Sequence, residues 1–348
     1  MKLPALAVVL ALAAPAARAS GDDTPPGSVI FARGGSLIRT DARGKGETEI
    51  ATIDPKSHLR SLRTDAAGKV LLANVDRSWA WMPLDGSAKT LEPLPCSDGP
   101  AQLEDDGSHV VCRGKQGGLD IDLASGRAWP VDIAVARIVG KAPERKFVWA
   151  ANDGIWAAPP TRNPRARATK VAPEPPLRGF LPSPDGTRGV GVYASDVYTD
   201  AHHTQPAEVL MGFALDGIAA RRKAIKSGVA LEWSHDSEWV LVQDGSNACL
   251  MHATGGEYKC WRGYTAASIS PDGKFALVLG GAAVKPTAKK PATGDEEAEG
   301  DDNEAEDVAV SPPTGPLSLY RVKLEGSPYT ETPSLVAKTV DGAAVWVP

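Results

Sequence analysis

The stretch Ala266-Ala-Ser-Ile-Ser-Pro-Asp-Gly-Lys-Phe-Ala-Leu-Val-Leu279 decides the fold. Two short β runs flank the turn Ser270-Pro271-Asp272-Gly273. Proline pre-sets φ at the first central turn position, Asp bonds back to its own backbone, and Gly accepts the positive φ that closes a hairpin. The phrase returns at Leu181-Pro-Ser-Pro-Asp-Gly-Thr187 and, altered, at Glu232-Trp-Ser-His-Asp-Ser-Glu238. Fainter copies are Arg63-Thr-Asp-Ala-Ala-Gly-Lys69 and Leu103-Glu-Asp-Asp-Gly-Ser108. The chain is built from repeats, and the repeat is a β hairpin.

Helical periodicity is scarce. Short Val, Ile, Leu and Trp runs alternate with Gly, Pro, Asp and Asn, the pattern of an all-β chain. A second Gly turn follows each hairpin, at Leu84-Asp-Gly86, Leu123-Ala-Ser-Gly126, Leu215-Asp-Gly217, Thr254-Gly-Gly256 and Leu324-Glu-Gly326. Four strands in about 40 residues is the size of a propeller blade. Blades are expected at 57–95, 97–133, 134–173, 176–226, 228–264 and 265–340, numbered one to six below. The C-terminal Ala343-Ala-Val-Trp-Val-Pro348 reads as an inner strand running into the Pro of another turn. Ser28-Val-Ile-Phe-Ala32, Leu37-Ile-Arg-Thr-Asp41 and Glu49-Ile-Ala-Thr52 supply three more strands. Together they make a seventh blade, which closes the ring and removes its open sheet edges. The expected fold is a single seven-bladed β-propeller; six or eight blades would also fit, since the third repeat lacks its turn phrase near Gly140 to Trp149.

Residues 1–19 read as a secretory leader: Lys2, an apolar run from Leu3 to Ala14, and Ala17-Arg18-Ala19 as a small-x-small cleavage site. The apolar run falls short of the ~20 residues a membrane span needs. The expected organisation is therefore leader 1–19, linker 20–27 and propeller 28–348, in a periplasmic or secreted, soluble, monomeric protein. Four cysteines suit an oxidising compartment. Cys249 and Cys260 flank Ala253-Thr-Gly-Gly256 symmetrically, and Cys96 and Cys112 bracket a junction between repeats. The expected disulfides are Cys96–Cys112 and Cys249–Cys260; free buried thiols are the alternative, and no CxxC or CxxH spacing suggests zinc.

Nine acids (Asp295, Glu296, Glu297, Glu299, Asp301, Asp302, Glu304, Glu306 and Asp307) crowd one run. Without them and the leader's Lys2 and Arg18, 36 basic residues face 34 acidic ones, so the net charge of −5 belongs to that run. Nothing in this balance suggests a nucleic-acid surface. The run lies in an insertion at 283–316, closed by Ser311-Pro-Pro-Thr-Gly-Pro316, whose composition is that of a solvated tether. A second insertion, Tyr193 to Pro206, carries the densest set of candidate binding residues: Tyr193, Asp196, Tyr198, Asp200, His202 and His203. Both insertions join second to third strands and should decorate one rim.

The repeats resemble those of the TolB-type propellers, built around a Trp-Ser-Pro-Asp-Gly phrase. Trp233-Ser234-His235-Asp236, Ser270-Pro271-Asp272-Gly273 and Ser183-Pro184-Asp185-Gly186 carry the resemblance. It implies a propeller and, loosely, a periplasmic binding or scaffolding role. A separate N-terminal domain is not expected, because the first β run begins about eight residues after the cleavage site.

Ser234-His235-Asp236 has the composition of a triad, but consecutive turn residues cannot converge as nucleophile, base and orienter. No Gly-x-Ser-x-Gly elbow occurs. Of nine tryptophans, Trp233 and Trp346 hold equivalent inner-strand positions, and Trp79 and Trp81 share a strand face; all four read as packing. No cofactor, metal or catalytic residue is expected. The expected function is a non-enzymatic protein-binding or scaffolding module with another envelope or secreted protein as partner. The alternative is a metal-dependent propeller hydrolase or lactonase with its site in the central channel, where Glu232 is the one carboxylate well inside an inner strand.

Overall fold

In the computed structural model, the second strands carry buried apolar runs, as in Val70–Ala73, Val240–Val242 and Phe275–Leu279. Such runs exclude a sheet with one wet face, because both faces of the strand must be covered. Side chains alternate along each run between two neighbours. Leu71 and Ala73 join one cluster while Val70 and Leu72 join the next. Phe275, Leu277 and Leu279 pack toward one side, Ala276 and Val278 toward the other. Each apolar cluster thus lies between two blades. The structure describes residues 27–133, 137–140, 144–198, 204–215, 223–225, 228–253, 258–281, 316–324 and 332–348.

Seven four-stranded antiparallel sheets form, and seven clusters fill the seams between them, so the ring is closed. Blade boundaries follow the sequence expectation. The seventh blade pairs Ala344–Val347 with Ser28–Arg33, in register from Ser28↔Val347 to Phe31↔Ala344. Trp346 is 2 % exposed in this seam and stacks on Phe275 of blade six, ring centroids 6.2 Å apart.

The turn phrase explains the hairpins atom by atom. The Ser270 hydroxyl donates to Asp272 Oδ1 (2.5 Å) and accepts from Phe275 N–H (2.9 Å), while Asp272 Oδ1 accepts Lys274 N–H (3.1 Å). Ser183 with Asp185 and Ser234 with Asp236 repeat the arrangement. In blade one the carboxylate of Asp65 replaces the serine and takes Lys69 and Val70 N–H, both at 2.7 Å. Gly273 has φ 67, and at the matching place in blade five Ser237 has φ 60. That strained non-glycine position is held because the Ser237 hydroxyl accepts Asp185 N–H of blade four (3.2 Å).

Both disulfides form. Cys249 and Cys260 are direct cross-strand partners, Cα atoms 4.1 Å apart. Cys96–Cys112, Cα atoms 5.8 Å apart, ties the crossover from blade one to the second strand of blade two. Among the described residues no helix is long and apolar enough to cross a membrane.

Candidate functional site

Two places stand out: the central channel, and a hairpin on one rim.

The innermost strands are Leu59–Thr64, Ala101–Leu103, Arg137–Val139, Arg178–Pro182, Val229–Trp233, Tyr264–Ile269 and Ala344–Val347. Four of their side chains reach the backbone of the next blade. Arg63 donates to Ala101 O (3.0 Å). The Gln102 amide donates to Ile138 O (2.7 Å) and accepts Ile138 N–H (2.8 Å). Glu232 Oε2 accepts Ile269 N–H (3.0 Å), and Ser268 Oγ accepts Trp346 N–H (3.3 Å). These bonds satisfy inner-strand backbone groups that have no fifth strand to pair with, and they fix the channel wall.

The channel encloses about 320 Å³, lined by Arg63, Gln102, Arg137, Glu232 and, toward the turn rim, Asp105 and His235. Glu232 is half-buried. Burial pushes its carboxyl up to about 7, against the Ile269 N–H, the Ser268 hydroxyl and the charge of Arg63. Arg137 is brought down to about 9, by burial first and by repulsion from Arg63 second. Burial also lowers Arg63, with Glu232 opposing. No salt bridge closes between these arginines and Glu232 among the described residues. Three arginines line the cavity, Arg60, Arg63 and Arg137, against the two carboxyls of Asp105 and Glu232, which makes it a poor seat for a divalent cation. Among the described residues no three His, Cys, Asp or Glu side chains come together in a way that could hold a metal ion. The arginines were visible in the sequence as cations inside inner strands; a search limited to metal-ligating types passes over them.

Ser234, His235 and Asp236 are committed to the turn. Ser234 is 1 % exposed, and its hydroxyl serves Asp236 and Trp239 N–H rather than the His235 ring.

The insertion at 193–206 is a hairpin, not an open loop. Arg188–Tyr198 and Thr204–Ala214 pair without a break through all eleven positions, including Asp196↔Pro206 and Tyr198↔Thr204. The second strands of the other blades hold six residues. Five more at about 3.4 Å each carry this pair ~17 Å further. Among the described residues the outer strand Lys223–Ile225 pairs with Leu210, Met211 and Gly212 alone, which leaves Pro206 in an edge position of the kind proline tolerates.

Tyr193 anchors the hairpin in the seam between blades three and four. It is 6 % exposed, edge-on to Phe213 with ring centroids 5.7 Å apart, and its hydroxyl donates to Glu174 O (3.4 Å). Burial raises its phenol. At the base, Arg178 grips Glu208 through Nε and Nη2 (2.9 and 2.5 Å). Asp196 and Tyr198 lie on the outgoing strand. Asp200, His202, His203, the acids from Asp295 to Asp307 and the leader lie outside the described residues. The strands flanking the acidic insertion pair at Gly280↔Ser318, so it leaves from and returns to the same rim as the hairpin.

Compared with known proteins, no family model matches the chain, and no curated protein matches it in sequence. Similar solved structures include TolB from Acinetobacter baumannii, at 9 % identity and TM-score 0.47 over 92 % of this chain and 67 % of that one. A putative TolB from Agrobacterium tumefaciens gives 13 % identity and TM-score 0.43, over 90 % of each chain. The dihydro-heme d1 dehydrogenase NirN gives 14 % and 0.49, over 94 % of this chain and 75 % of that one. TolB proteins and other propellers are thus among the structural neighbours of a chain whose own strand pairing makes it a seven-bladed β-propeller.

Proposed function

We propose that the chain is an exported, non-enzymatic β-propeller that binds another envelope or secreted protein as a monomeric binding or scaffolding module. The observation that carries this reading is the strand pair Arg188–Tyr198 and Thr204–Ala214, an extended two-stranded projection anchored at Tyr193 and Arg178 on the rim that also bears the acidic insertion. An exposed strand pair offers free backbone donors and acceptors for an added strand. Asp196, Tyr198, Asp200, His202 and His203 supply its side-chain contacts, and the acids from Asp295 to Asp307 steer a basic partner toward the rim. The leader-like first 19 residues and the two disulfides support export. The turn bonding of Ser234 and Asp236 leaves the one triad-like run without a free nucleophile.

The test is crosslinking followed by pull-down from the native envelope or culture supernatant. It compares residues 20–348 with a form lacking 285–316 and a form whose hairpin is cut back to Tyr193 and Ala207. The reading predicts a discrete partner that the short-hairpin form loses while its unfolding temperature is kept. Equal capture by all three forms would contradict it.

A further inference from the structure

The channel holds a charge that the protein itself does not answer. Arg137 lines the cavity and has no hydrogen-bond or ion-pair partner among the described residues. Its neighbour Arg63 gives one N–H to Ala101 O and lies 5.9 Å from the centroid of the Trp79 ring, which leaves its other donors uncommitted. Gln102, on the strand between them, is tied at both ends of its amide to Ile138 and cannot turn toward either. Two carboxyls line the cavity, Asp105 toward the turn rim and Glu232 in the wall, and Glu232 faces the Ile269 N–H instead of closing on a guanidinium.

Two half-buried cations held near each other, without a counter-charge in contact, carry a desolvation and repulsion cost. The blade backbone fixes them there regardless. A guanidinium presents five N–H donors in a planar fork that matches the two oxygens of a carboxylate or phosphate. At about 320 Å³ the cavity is at the small end of ligand pockets. We propose that the central channel is a binding site for a small oxyanion, a carboxylate or phosphate group, clamped by Arg137 in bidentate fashion with Arg63 as the second cation. The site is separate from the hairpin rim, and its test does not depend on any protein partner.

The experiment is calorimetric titration of residues 20–348 at pH 7.5 with inorganic phosphate and, separately, with citrate, at constant ionic strength set by sodium chloride. Phosphate alone saturating would identify a phosphate site, citrate alone a carboxylate site, and both the shared oxyanion chemistry. Arg137→Gln is expected to weaken binding at least tenfold, yet to unfold no earlier than wild type without anion, because it relieves the repulsion with Arg63. Glu232→Gln, which deletes the competing negative charge and keeps the acceptor for Ile269 N–H, is expected to tighten binding about threefold. Absence of saturable binding by either anion in wild type, undiminished affinity in Arg137→Gln, or weaker binding in Glu232→Gln would each overturn the proposal.

Discussion

Glu232→Gln is expected to stabilise the propeller at pH 8 and to leave it unchanged at pH 4.5. The carboxyl is carried from 4.5 to about 7 mainly by burial in the channel wall. Below pH 4.5 the folded and unfolded chains both hold the proton. Between 4.5 and 7 the unfolded chain releases it and the folded chain keeps it, so stability falls as pH rises; above 7 the full cost is present. At 1.36 kcal/mol per pH unit the cost has an upper bound of about 3 kcal/mol, and the water-accessible channel reduces it to ~1.5 kcal/mol. Glutamine keeps an oxygen for the Ile269 N–H without the charge. For a domain of this size ~1.5 kcal/mol is about 3 °C in unfolding temperature. Thermal unfolding followed by circular dichroism from pH 4.5 to 8 measures it. A variant that melts below wild type at pH 8 and equals it at pH 4.5 would refute the reasoning, because the carboxylate would then be gaining more from Arg63 than burial costs it.

Trp346→Ala empties the seam that closes the ring, where the indole is 2 % exposed against Phe275, and should cost about 3–5 kcal/mol in urea unfolding. Replacing Cys96 and Cys112 with serine reopens a loop of sequence separation 16, with an expected loss of ~3 kcal/mol by the same measurement. Ser270→Ala strands the buried Phe275 N–H and should cost ~1–3 kcal/mol, with hydrogen exchange at that amide accelerated more than at the Leu277 amide.

Much of the fold was legible because the signals were local. Each Ser-Pro-Asp-Gly phrase marks a turn between an inner and a second strand, and the apolar runs after it are too continuous for a sheet with a wet face. Spacing around Thr254-Gly-Gly256 was enough to place Cys249 opposite Cys260, as the register confirms. What the sequence hid was non-local. Pro206 and the run of polar residues before it read as loop. Thr204, Gln205 and Pro206 nevertheless pair with Tyr198, Val197 and Asp196, above a strand pair held by Tyr193 against Phe213, a contact between residues twenty positions apart. The channel arginines were legible one by one but not as a pair. Arg63 and Arg137 are ordinary cations in sequence, and only closure of the ring brings them into one cavity, where Glu232 bonds to the Ile269 N–H rather than to either guanidinium. Ser237 is a third case: a serine at a glycine position looks like decay of the motif, yet its hydroxyl accepts a hydrogen bond from the neighbouring blade.

The central claim, that the hairpin rim is the working surface, is tested most directly by site-specific photocrosslinking in the native envelope or supernatant. One form carries a photoreactive residue at the exposed Ala194 on the hairpin, and a second carries it at the exposed Lys274 in a turn on the opposite rim. The account predicts a discrete crosslinked species from position 194 and none from 274. The same species from both positions, or from 274 alone, would contradict it.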